Sequence, residues 1–259
     1  MIRYGIIGEH LGHTLSPFIY NSLFKKFGID AVYEKIEIPK DEFVNVENVI
    51  RDLQGFNVTV PYKEMIIPYL KSLSEDAKEM GAVNTVSNLA GFNTDWQGFK
   101  ESLNGIDLKG NTALVIGSGG ASRAVCFAFK KMRIKIYLKS RNLQKSMEFK
   151  NLFGADLEEP DPGSVSIIVN ATPLGMYPDI DGMPEIDLSK FSKDCVVYDL
   201  VYNPPLTRFL RVAKELGLRT INGYAMLINQ ATLNLRIWSM EDLGDYLLRN
   251  GIHPLPDGF

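Results

Sequence analysis

The sequence predicts an α/β protein with mostly parallel strands, and three observations support this prediction. Apolar periodicity alternates between short strand-like runs and helical stretches, which is typical of parallel α/β folds. Two such series follow one another, and a linking helix is predicted to begin near Asp95. The 259 residues are enough for one large domain or for two of modest size, each with its own core.

The first series predicts strands and helices in alternation. Pro17 suits the first turn of a helix, and Gly28 ends that helix because glycine tolerates a left-handed conformation. The predicted order is strand "RYGIIG", helix Pro17 to Phe27, strand "AVYEKIEI", helix Glu42 to Leu53, strand "GFNVTV", a helix starting at Pro61, a helix near "SEDAKEM" and a hairpin through "AVNTVSNLAGFN".

The second series predicts four strands with helices between them: "TALVIG", "IKIYLK", "SIIVNA" and "CVVYDLV". Its first strand-loop-helix-strand unit, from Asn111 to Leu138, has about the length of a dinucleotide-binding crossover. The stretch from Gly223 onward is helical by pattern and can pack on either half of the chain.

The composition argues against several classes of function. A net charge of −3 and a pI near 5.7 give no general attraction to nucleic acid or to an anionic membrane. The first residues, "MIRYGIIGEH", lack the layout of a signal peptide, and no apolar run approaches the roughly 18 residues that span a bilayer. We therefore expect a cytoplasmic protein that binds neither nucleic acid nor membranes.

The cysteines and histidines do not predict a metal site. Cys126 and Cys195 are the only cysteines and lie outside any C-x-x-C motif, so we expect free, buried thiols. His10 and His13 form an H-x-x-H pair, but no third ligand of the His or Cys type is near.

The loop "VIGSGGASRA" is the better of two glycine-containing candidates for a cofactor site. Gly117, Gly119 and Gly120 follow an apolar strand and open an Ala-rich helix, so the backbone can approach a pyrophosphate at the helix N-terminus. Ser122 replaces the third glycine of G-x-G-x-x-G and is still small enough for close helix packing. This context predicts nucleotide binding.

The end of the next strand indicates NADP(H) rather than NAD(H). An NAD site usually has an acidic residue there for the ribose 2′-hydroxyl, whereas a 2′-phosphate requires Arg and small polar groups. No acidic residue occurs between Ala121 and Met147, and "KSRNLQK" offers Arg141 as a planar clamp for a phosphate. The alternative for these basic residues is a solvated helix face.

The earlier loop, "GEHLGHTLSP", lacks the G-x-G spacing and is interpreted as a carboxylate pocket. Pro17 at the first helical position makes Ser16 the predicted N-cap, with Thr14 two residues before it. Two hydroxyls at a helix N-terminus suit a monovalent carboxylate, and the loop glycines would leave space for it. An ordinary N-cap without a ligand is the alternative.

Three further polar clusters interrupt apolar segments. "GFNVTVPYKE" places Asn57 and Thr59 on one face of a strand and Lys63 in the first turn of the predicted helix. The positive end of a helix dipole disfavours the charge of a lysine there, which would suit an acid–base role. "GAVNTV" and "GFNTDW" supply Asn84 and Asp95, and Asp95 could cap a helix or orient Lys63.

Together, "HTLSP", "NVTVPYKE", "GAVNTV", "GFNTDWQG", "GSGGASRA", "NATPLGM", "DLVYNPP" and "GYAMLINQA" resemble the shikimate dehydrogenase family, in that family's order. The resemblance implies NADPH-dependent reduction of 3-dehydroshikimate to shikimate, on the route to aromatic amino acids. It also implies two domains with a cleft between them: a substrate domain of residues 1–97 plus 225–259, and a Rossmann-like NADP domain of residues 98–224. The partners implied are small molecules, and the protein would be a monomer or a homodimer.

The resemblance also implies roles for individual residues. Thr14 and Ser16 would hold the substrate carboxylate; Asn57, Thr59, Asn84, Asp95 and Gln230 would bind the ring hydroxyls, with Tyr202 closing the pocket. Gly117, Ser118, Gly119, Gly120, Ala121, Ser140, Arg141, Asn142 and Lys145 would bind the cofactor's phosphates, and Leu200 and Gly223 would line its nicotinamide end. Lys63 would be the proton donor that Asp95 orients.

Two positions depart from the family's usual pattern. Thr14 stands where serine is common, and "SRN" stands where "NRT" is common. The methyl group of Thr14 could alter the preference between shikimate and quinate, so an enzyme of dual specificity is one alternative. A regulator that binds shikimate without turnover is another, although the presence of both Lys63 and Asp95 argues against it. Folate-type dehydrogenases are disfavoured by the Ser/Thr carboxylate motif.

Overall fold

The computed structural model describes residues 1–12, 14–108 and 110–252, and it confirms the α/β class with mostly parallel sheets. The chain divides into two compact units, one formed by Met1–Thr94 with the segment that starts at Ile228 and one formed by Asp95–Leu227. The expected binding domains, 1–97 plus 225–259 and 98–224, stay predictions. Residues 253–259 of the first of them lie outside the described part of the chain.

The first unit contains a six-stranded sheet. Its strands are β1 Ile2–Gly8, β2 Ala31–Glu37, β3 Gly55–Val58, β4 Ser72–Leu73, β5 Thr85–Ser87 and β6 Ala90–Phe92, in the order β2-β1-β3-β5-β6-β4. β1 is parallel to β2 and β3, whereas β5 pairs antiparallel with β3 and β6. The helices here are α1 Ser16–Phe27, α2 Val46–Ile50, α3 Glu75–Met80 and α9 Glu241–Asn250.

The second unit contains a five-stranded sheet in which all neighbours are parallel. Its strands are β7 Thr112–Ile116, β8 Lys135–Lys139, β9 Ile167–Asn170, β10 Val196–Asp199 and β11 Arg219–Asn222, in the order β11-β10-β9-β7-β8. Its helices are α4 Asp95–Ser102, α5 Gly120–Lys131, α6 Leu143–Phe153 and α7 Arg208–Glu215; α8, Tyr224–Ile237, continues into the first unit.

The second sheet has the strand order of a dinucleotide-binding fold. A Rossmann sheet runs 3-2-1-4-5-6, and β8, β7, β9, β10 and β11 occupy positions 2, 1, 4, 5 and 6. The third position is reduced to a single parallel bridge between Tyr137 and Asp156. The switch in strand order therefore falls between β7 and β9, where ligands bind in such sheets.

One predicted helix is shorter than predicted, and two others are wrong. The segment Glu42 to Leu53 forms a 3₁₀ turn, Phe43–Asn45, and the short α2, because its several β-branched residues and asparagines are poor helix formers. The segment from Pro61 forms turns and a 3₁₀ turn at Ile67–Tyr69, since Pro68 restricts the residue before it. Between β9 and β10 the chain contains a 3₁₀ turn, Leu188–Lys190, among prolines and glycines.

Two strands were not predicted. These are β4, which has only two residues, and β11, which lies at the edge of the second sheet. The predicted hairpin is confirmed as β5 and β6, and Asn88 and Leu89 at its tip have positive φ angles of 49° and 62°.

The end of α8 is packed onto the first sheet through Trp238, the residue that follows the helix. Its ring lies 4.9 Å from that of Tyr4 and 5.3 Å from that of Tyr20, and its Nε1 donates to the carbonyl of Val86 at 3.0 Å. A Cβ at Gly55 would overlap the indole, so glycine is required there. This packing fixes the part of α8 that carries Gln230 and Asn234.

No helix in the described ranges combines the length and the apolar character needed to cross a membrane.

Candidate functional site

The predicted carboxylate motif lies at the start of α1, but Ser16 is not its N-cap. Leu15 already has helical backbone angles, φ −79° and ψ −13°, so the helix begins one residue earlier than predicted. The Ser16 N–H instead donates to Thr14 Oγ1 at 3.3 Å, and the Thr14 hydroxyl lies 3.3 Å from Ser16 Oγ. The two hydroxyls are therefore neighbours at a helix N-terminus, where the dipole favours an anion.

The glycines of this loop have different environments. A Cβ at Gly8 would come within 2.6 Å of Leu11 and 2.7 Å of Thr59, so Gly8 lets the loop pack on the end of β3 rather than leaving space for a ligand. A Cβ at Gly12 would meet no atom within 4 Å in the part of the chain that the structure describes, so there is open space at this glycine. The neighbouring His13 lies outside the described residues.

Lys63 follows β3 in a turn, not in a helix. The Tyr62 N–H donates to the carbonyl of Thr59 at 2.8 Å, and the carbonyl of Lys63 accepts from the Val83 N–H at 2.8 Å. Tyr62 anchors the turn because its ring stacks on Phe43 at 4.1 Å. The helix dipole invoked for Lys63 is therefore absent. Lys63 is half-buried, and its backbone bond to Val83 brings it close in space to Asn84, the next residue along the chain.

Asn57 on β3 is buried, and its carboxamide makes three hydrogen bonds. Its Oδ1 accepts from the Tyr33 hydroxyl at 2.7 Å. Its Nδ2 donates to the Asn84 carbonyl at 3.0 Å and to Thr85 Oγ1 at 3.1 Å. Both asparagines are therefore part of one buried arrangement, and Thr59 lies half-buried just after the strand.

Asn84 holds the residue that precedes α4. Its Oδ1 accepts the Thr94 N–H at 2.7 Å, and its Nδ2 donates to Thr94 Oγ1 at 2.9 Å. Asp95 is the first residue of α4 and is only 6 % exposed. The predicted pairing of Asp95 with Lys63 stays a prediction.

Asn234 on α8 completes this arrangement and was not predicted. Its Oδ1 lies 2.5 Å from Thr85 Oγ1 and 2.7 Å from Thr94 Oγ1, and its Nδ2 donates to Tyr20 Oη and to Gln230 Oε1, each at 2.9 Å. We call the buried residues joined in this way the amide–threonine network: Asn57, Asn84, Thr85, Thr94 and Asn234. The motifs "VNTV" and "FNTD" contain three of its members and "GFNVTV" a fourth, but nothing local to α8 indicates the fifth.

The glycine loop after β7 has the predicted strand-loop-helix geometry. Gly119 is the N-cap of α5, and a Cβ there would meet no described atom within 4 Å. Gly117 has a φ of 114°, which side chains rarely tolerate, and its Cβ would meet Thr172, Ala171 and Ser122 at 3.0 to 3.1 Å. The unpaired N–H groups of the first turn of α5 and the open space at Gly119 are together suited to an anion such as a phosphate.

The segment after β8 is tied to this loop through hydroxyl groups. Ser140 Oγ lies 2.7 Å from Ser118 Oγ and accepts the Asn142 N–H at 3.2 Å. Asn142 caps α6 by accepting the Lys145 N–H at 2.9 Å. Arg141, which lies between Ser140 and Asn142, is exposed. Two cofactor segments predicted from separate motifs thus lie side by side.

Several of the other basic residues in this region have acidic partners. Arg123 is buried and pairs with Glu148 at 2.7 Å, and Lys135 lies 3.6 Å from Asp156. Part of the basic pattern after β7 is therefore explained by ion pairs, and Arg141 is the residue in it that best suits a phosphate.

Leu200 and Gly223 meet in the second unit. A Cβ at Gly223 would overlap the Leu200 carbonyl, and the Gly223 N–H donates to the Val201 carbonyl at 3.3 Å. Tyr202, the residue after Val201, is half-buried. Only glycine allows this approach of α8's first turn to the end of β10.

A buried carboxylate supports this end of β10. Asp199 accepts from the Thr207 hydroxyl at 2.6 Å, from the Asn170 amide at 3.0 Å and from the Val201 N–H at 3.0 Å. Burial raises its pKa from 3.8 to about 6, although the three hydrogen bonds act in the opposite direction. The Thr172 hydroxyl in turn donates to Asn170 Oδ1 at 2.6 Å. We call these four residues the aspartate cluster: Asp199, Asn170, Thr207 and Thr172.

A cavity of about 790 Å³ opens beside Ser140 and Lys139 but does not suit the phosphates. Its walls are largely apolar, and its charged residues are mainly acidic: Glu158, Glu159, Glu185 and Asp187, with Lys139 and Lys190. Acidic groups repel a phosphate, so the glycine loop is the better phosphate site. Among the described residues, no group of three or more His, Cys, Asp or Glu could hold a metal ion.

Sequence comparisons identify the family. The shikimate dehydrogenase (NADP(+)) of Shouchella clausii is 39 % identical over 255 residues, covering 92 % of each chain, and that of Caldanaerobacter subterraneus is 38 % identical over 257 residues, covering 92 % of this chain and 91 % of its own. The chain belongs to the shikimate dehydrogenase family. The family's substrate-binding-domain model matches residues 6–86.

Solved shikimate dehydrogenases have the same fold. The shikimate 5-dehydrogenase of Thermus thermophilus, in complex with NADP(H) and shikimate, superposes with a TM-score of 0.82 at 35 % identity, covering 95 % of this chain and 99 % of its own. The shikimate dehydrogenase of Thermotoga maritima gives 0.85 at 31 % identity, covering 96 % and 98 %.

Proposed function

We propose the residues by which this shikimate dehydrogenase family member carries out its reaction. The activity is the reversible, NADPH-dependent reduction of 3-dehydroshikimate to shikimate, in the pathway to aromatic amino acids. The chain resembles NADP-dependent enzymes over nine-tenths of its length, and one such neighbour was solved with both NADP(H) and shikimate. We therefore assign one ligand to each of the two units.

The second unit fits NADP(H). The open space at Gly119 and the first N–H groups of α5 suit a pyrophosphate, and Ser118, Gly120 and Ala121 belong to the same loop. Ser140, Arg141, Asn142 and Lys145 supply hydroxyl, guanidinium, amide and ammonium groups for the 2′-phosphate. Leu200 and Gly223 are assigned to the nicotinamide end. Bound NADPH would supply the hydride for the substrate's C3 carbonyl carbon.

The first unit is assigned to the substrate. Thr14 and Ser16 donate hydrogen bonds from a helix N-terminus to the carboxylate. Asn57, Thr59, Asn84 and Gln230 bind ring hydroxyls, and Asp95 and Tyr202 complete the set. The carboxamides of Asn57 and Asn84 are already held by protein partners, so they position neighbouring donors as well as offering their own atoms.

Lys63 is the proton donor. In the direction of reduction its ammonium group gives a proton to the alkoxide that forms at C3, and in reverse the neutral amine accepts the hydroxyl proton. Asp95 orients Lys63 by hydrogen bonding. The single observation that carries this assignment is the turn that joins the Lys63 backbone to Val83, directly before Asn84.

We also propose that the enzyme acts in the cytoplasm, as a monomer or homodimer, without nucleic acid or membrane partners. The state of the cysteines supports a reducing compartment. Cys126 and Cys195 are both free and buried, and burial raises the pKa of each thiol, so neither is a reactive thiolate.

Initial rates with two substrates and two cofactors test the proposal. We expect shikimate with NADP⁺ to give the highest kcat/KM among the combinations of shikimate or quinate with NADP⁺ or NAD⁺. Equal efficiency with quinate would establish a dual-specificity enzyme. Tight shikimate binding without turnover would contradict the catalytic assignment and indicate a regulator.

A further inference from the structure

A buried asparagine on α8 has every hydrogen-bonding position of its side chain occupied. Asn234 is 0 % exposed, and its four partners come from α1, from β5, from the residue before α4 and from its own helix. A carboxamide offers two acceptor and two donor positions, and here all four are used. A side chain satisfied in this way has one preferred orientation.

The partners decide which way the Asn234 amide points. Thr85 Oγ1 accepts from Asn57 Nδ2 at 3.1 Å, and Thr94 Oγ1 accepts from Asn84 Nδ2 at 2.9 Å. Each threonine hydroxyl has one hydrogen, which it can donate to Asn84 Oδ1, at 3.0 Å from Thr85 and 3.3 Å from Thr94, or to Asn234 Oδ1, at 2.5 and 2.7 Å. The shorter distances favour Asn234, which therefore presents its oxygen to both threonines. The Asn234 Nδ2 group is thus directed to the opposite side, toward Gln230.

The same order of donors fixes the amide of Gln230. Because Asn234 Nδ2 donates to Gln230 Oε1 at 2.9 Å, the Gln230 oxygen is directed along α8 toward Asn234. What Gln230 can then offer a ligand is its Nε2 group, which is a donor. The direction of donation runs from Asn57 through Thr85 and Asn234 to Gln230.

We infer that Asn234 is a positioning residue that fixes the Gln230 carboxamide so that its Nε2 donates to a hydroxyl oxygen of the substrate ring. The inference rests on the proposed substrate role of Gln230. It assigns to Asn234 a part in substrate selectivity that acts through Gln230 and not through contact with the substrate.

The test is Asn234→Asp, which keeps the shape and, at a pH where the carboxyl group is ionised, offers acceptors only. Thr85 and Thr94 can still donate to the carboxylate, whereas Gln230 must turn its Nε2 toward it and present its oxygen to the substrate. We expect the KM for shikimate to rise about tenfold, the effect of one lost hydrogen bond, with kcat and the KM for NADP⁺ changed by less than about threefold.

A double-mutant cycle separates this role from a structural one. In a Gln230→Met background, Asn234→Asp should leave the KM for shikimate unchanged, because the group it acts through is gone. Asn21→Asp is the matched control, since Asn21 holds the Tyr33 backbone through two hydrogen bonds, at 2.8 and 2.9 Å, in the same unit. It should lower Tm without altering the KM.

Each result has one meaning. If Gln230→Met raises the KM but Asn234→Asp does not, or if the two effects add fully, the inference is wrong and the proposed function stands. If Gln230→Met itself leaves the KM unchanged, the substrate role of Gln230 fails and the inference fails with it. Should Asn234→Asp not fold, Asn234→Ser, whose shorter hydroxyl cannot replace the bond to Gln230, is measured against the same expectations.

Discussion

The two units each contain a buried polar cluster, but the clusters differ in charge. The amide–threonine network of the first unit is built from neutral amides and hydroxyls, whereas the aspartate cluster of the second unit has a carboxyl group at its centre. A neutral network keeps its hydrogen bonds over a wide pH range, while a buried carboxylate couples folding to proton binding. The amide–threonine network should therefore be insensitive to pH, whereas the aspartate cluster contains a group that titrates.

Lys63→Ala gives the largest expected effect. Lys63 belongs to neither cluster, so its removal should change the reaction and leave both clusters intact. Removing a proton donor should lower kcat by about 10²- to 10⁴-fold with a modest change in the KM for shikimate. Steady-state kinetics measure this, and the exposed Lys78 on α3 provides the control, since Lys78→Ala should leave kcat unchanged. A near-normal kcat in Lys63→Ala would refute the assignment.

Asp199→Asn tests the difference in charge directly. Burial raises the folded-state pKa of Asp199 from 3.8 to about 6, so the native protein binds this proton more tightly than the unfolded chain. The stability associated with that proton is fully present below about 3.8 and is lost as pH rises through about 6. The pKa difference corresponds to about 3 kcal/mol, and Asn, which stays neutral, should not show the loss.

Urea unfolding of both proteins at pH 4 and pH 7 measures this change. We expect Asp199→Asn to gain up to about 3 kcal/mol relative to the wild type between the two pH values. Asp187→Asn should change in the opposite direction, because the Ser189 hydroxyl lowers the pKa of that exposed carboxyl group. A parallel pH dependence of wild type and Asp199→Asn would show that Asp199 does not titrate in this range.

Arg141→Ala tests the cofactor side at its surface. A guanidinium–phosphate contact contributes about 2 kcal/mol, so the Kd for NADP⁺ should rise roughly 10- to 100-fold while that for NAD⁺ changes little. Isothermal titration with each cofactor gives both constants. The exposed Lys150 on α6 serves as the control, and unchanged NADP⁺ affinity in Arg141→Ala would overturn the 2′-phosphate assignment.

The geometry of the glycine loop could be predicted from sequence because its signal is local. A strand, a glycine at positive φ, a glycine N-cap and a helix all lie between Thr112 and Lys131, and each constrains its neighbours. The network around Asn234 could not, since its bonds to Thr85 and Thr94 join residues 149 and 140 positions apart. The turn at Lys63 differs from the predicted helix because Pro61 suits a helix start, whereas Pro68 restricts the residue before it and the chain there forms only a 3₁₀ turn.

Thr232→Val gives the smallest expected effect. It tests whether a buried threonine hydroxyl stabilises the protein only when it is hydrogen-bonded, as the hydroxyls of the amide–threonine network are. Thr232 is 2 % exposed on α8, and its Oγ1 has no hydrogen-bond partner among the described residues. Removing an unsatisfied buried hydroxyl should stabilise the protein by about 1 kcal/mol, or raise Tm by roughly 2 to 4 °C. The same change at Thr94, whose hydroxyl bonds Asn234, should instead destabilise by about 1 to 3 kcal/mol. Thermal unfolding of the two variants decides the point, because equal destabilisation would mean that a poor fit of the added methyl group, not the loss of a hydrogen bond, governs the stability change.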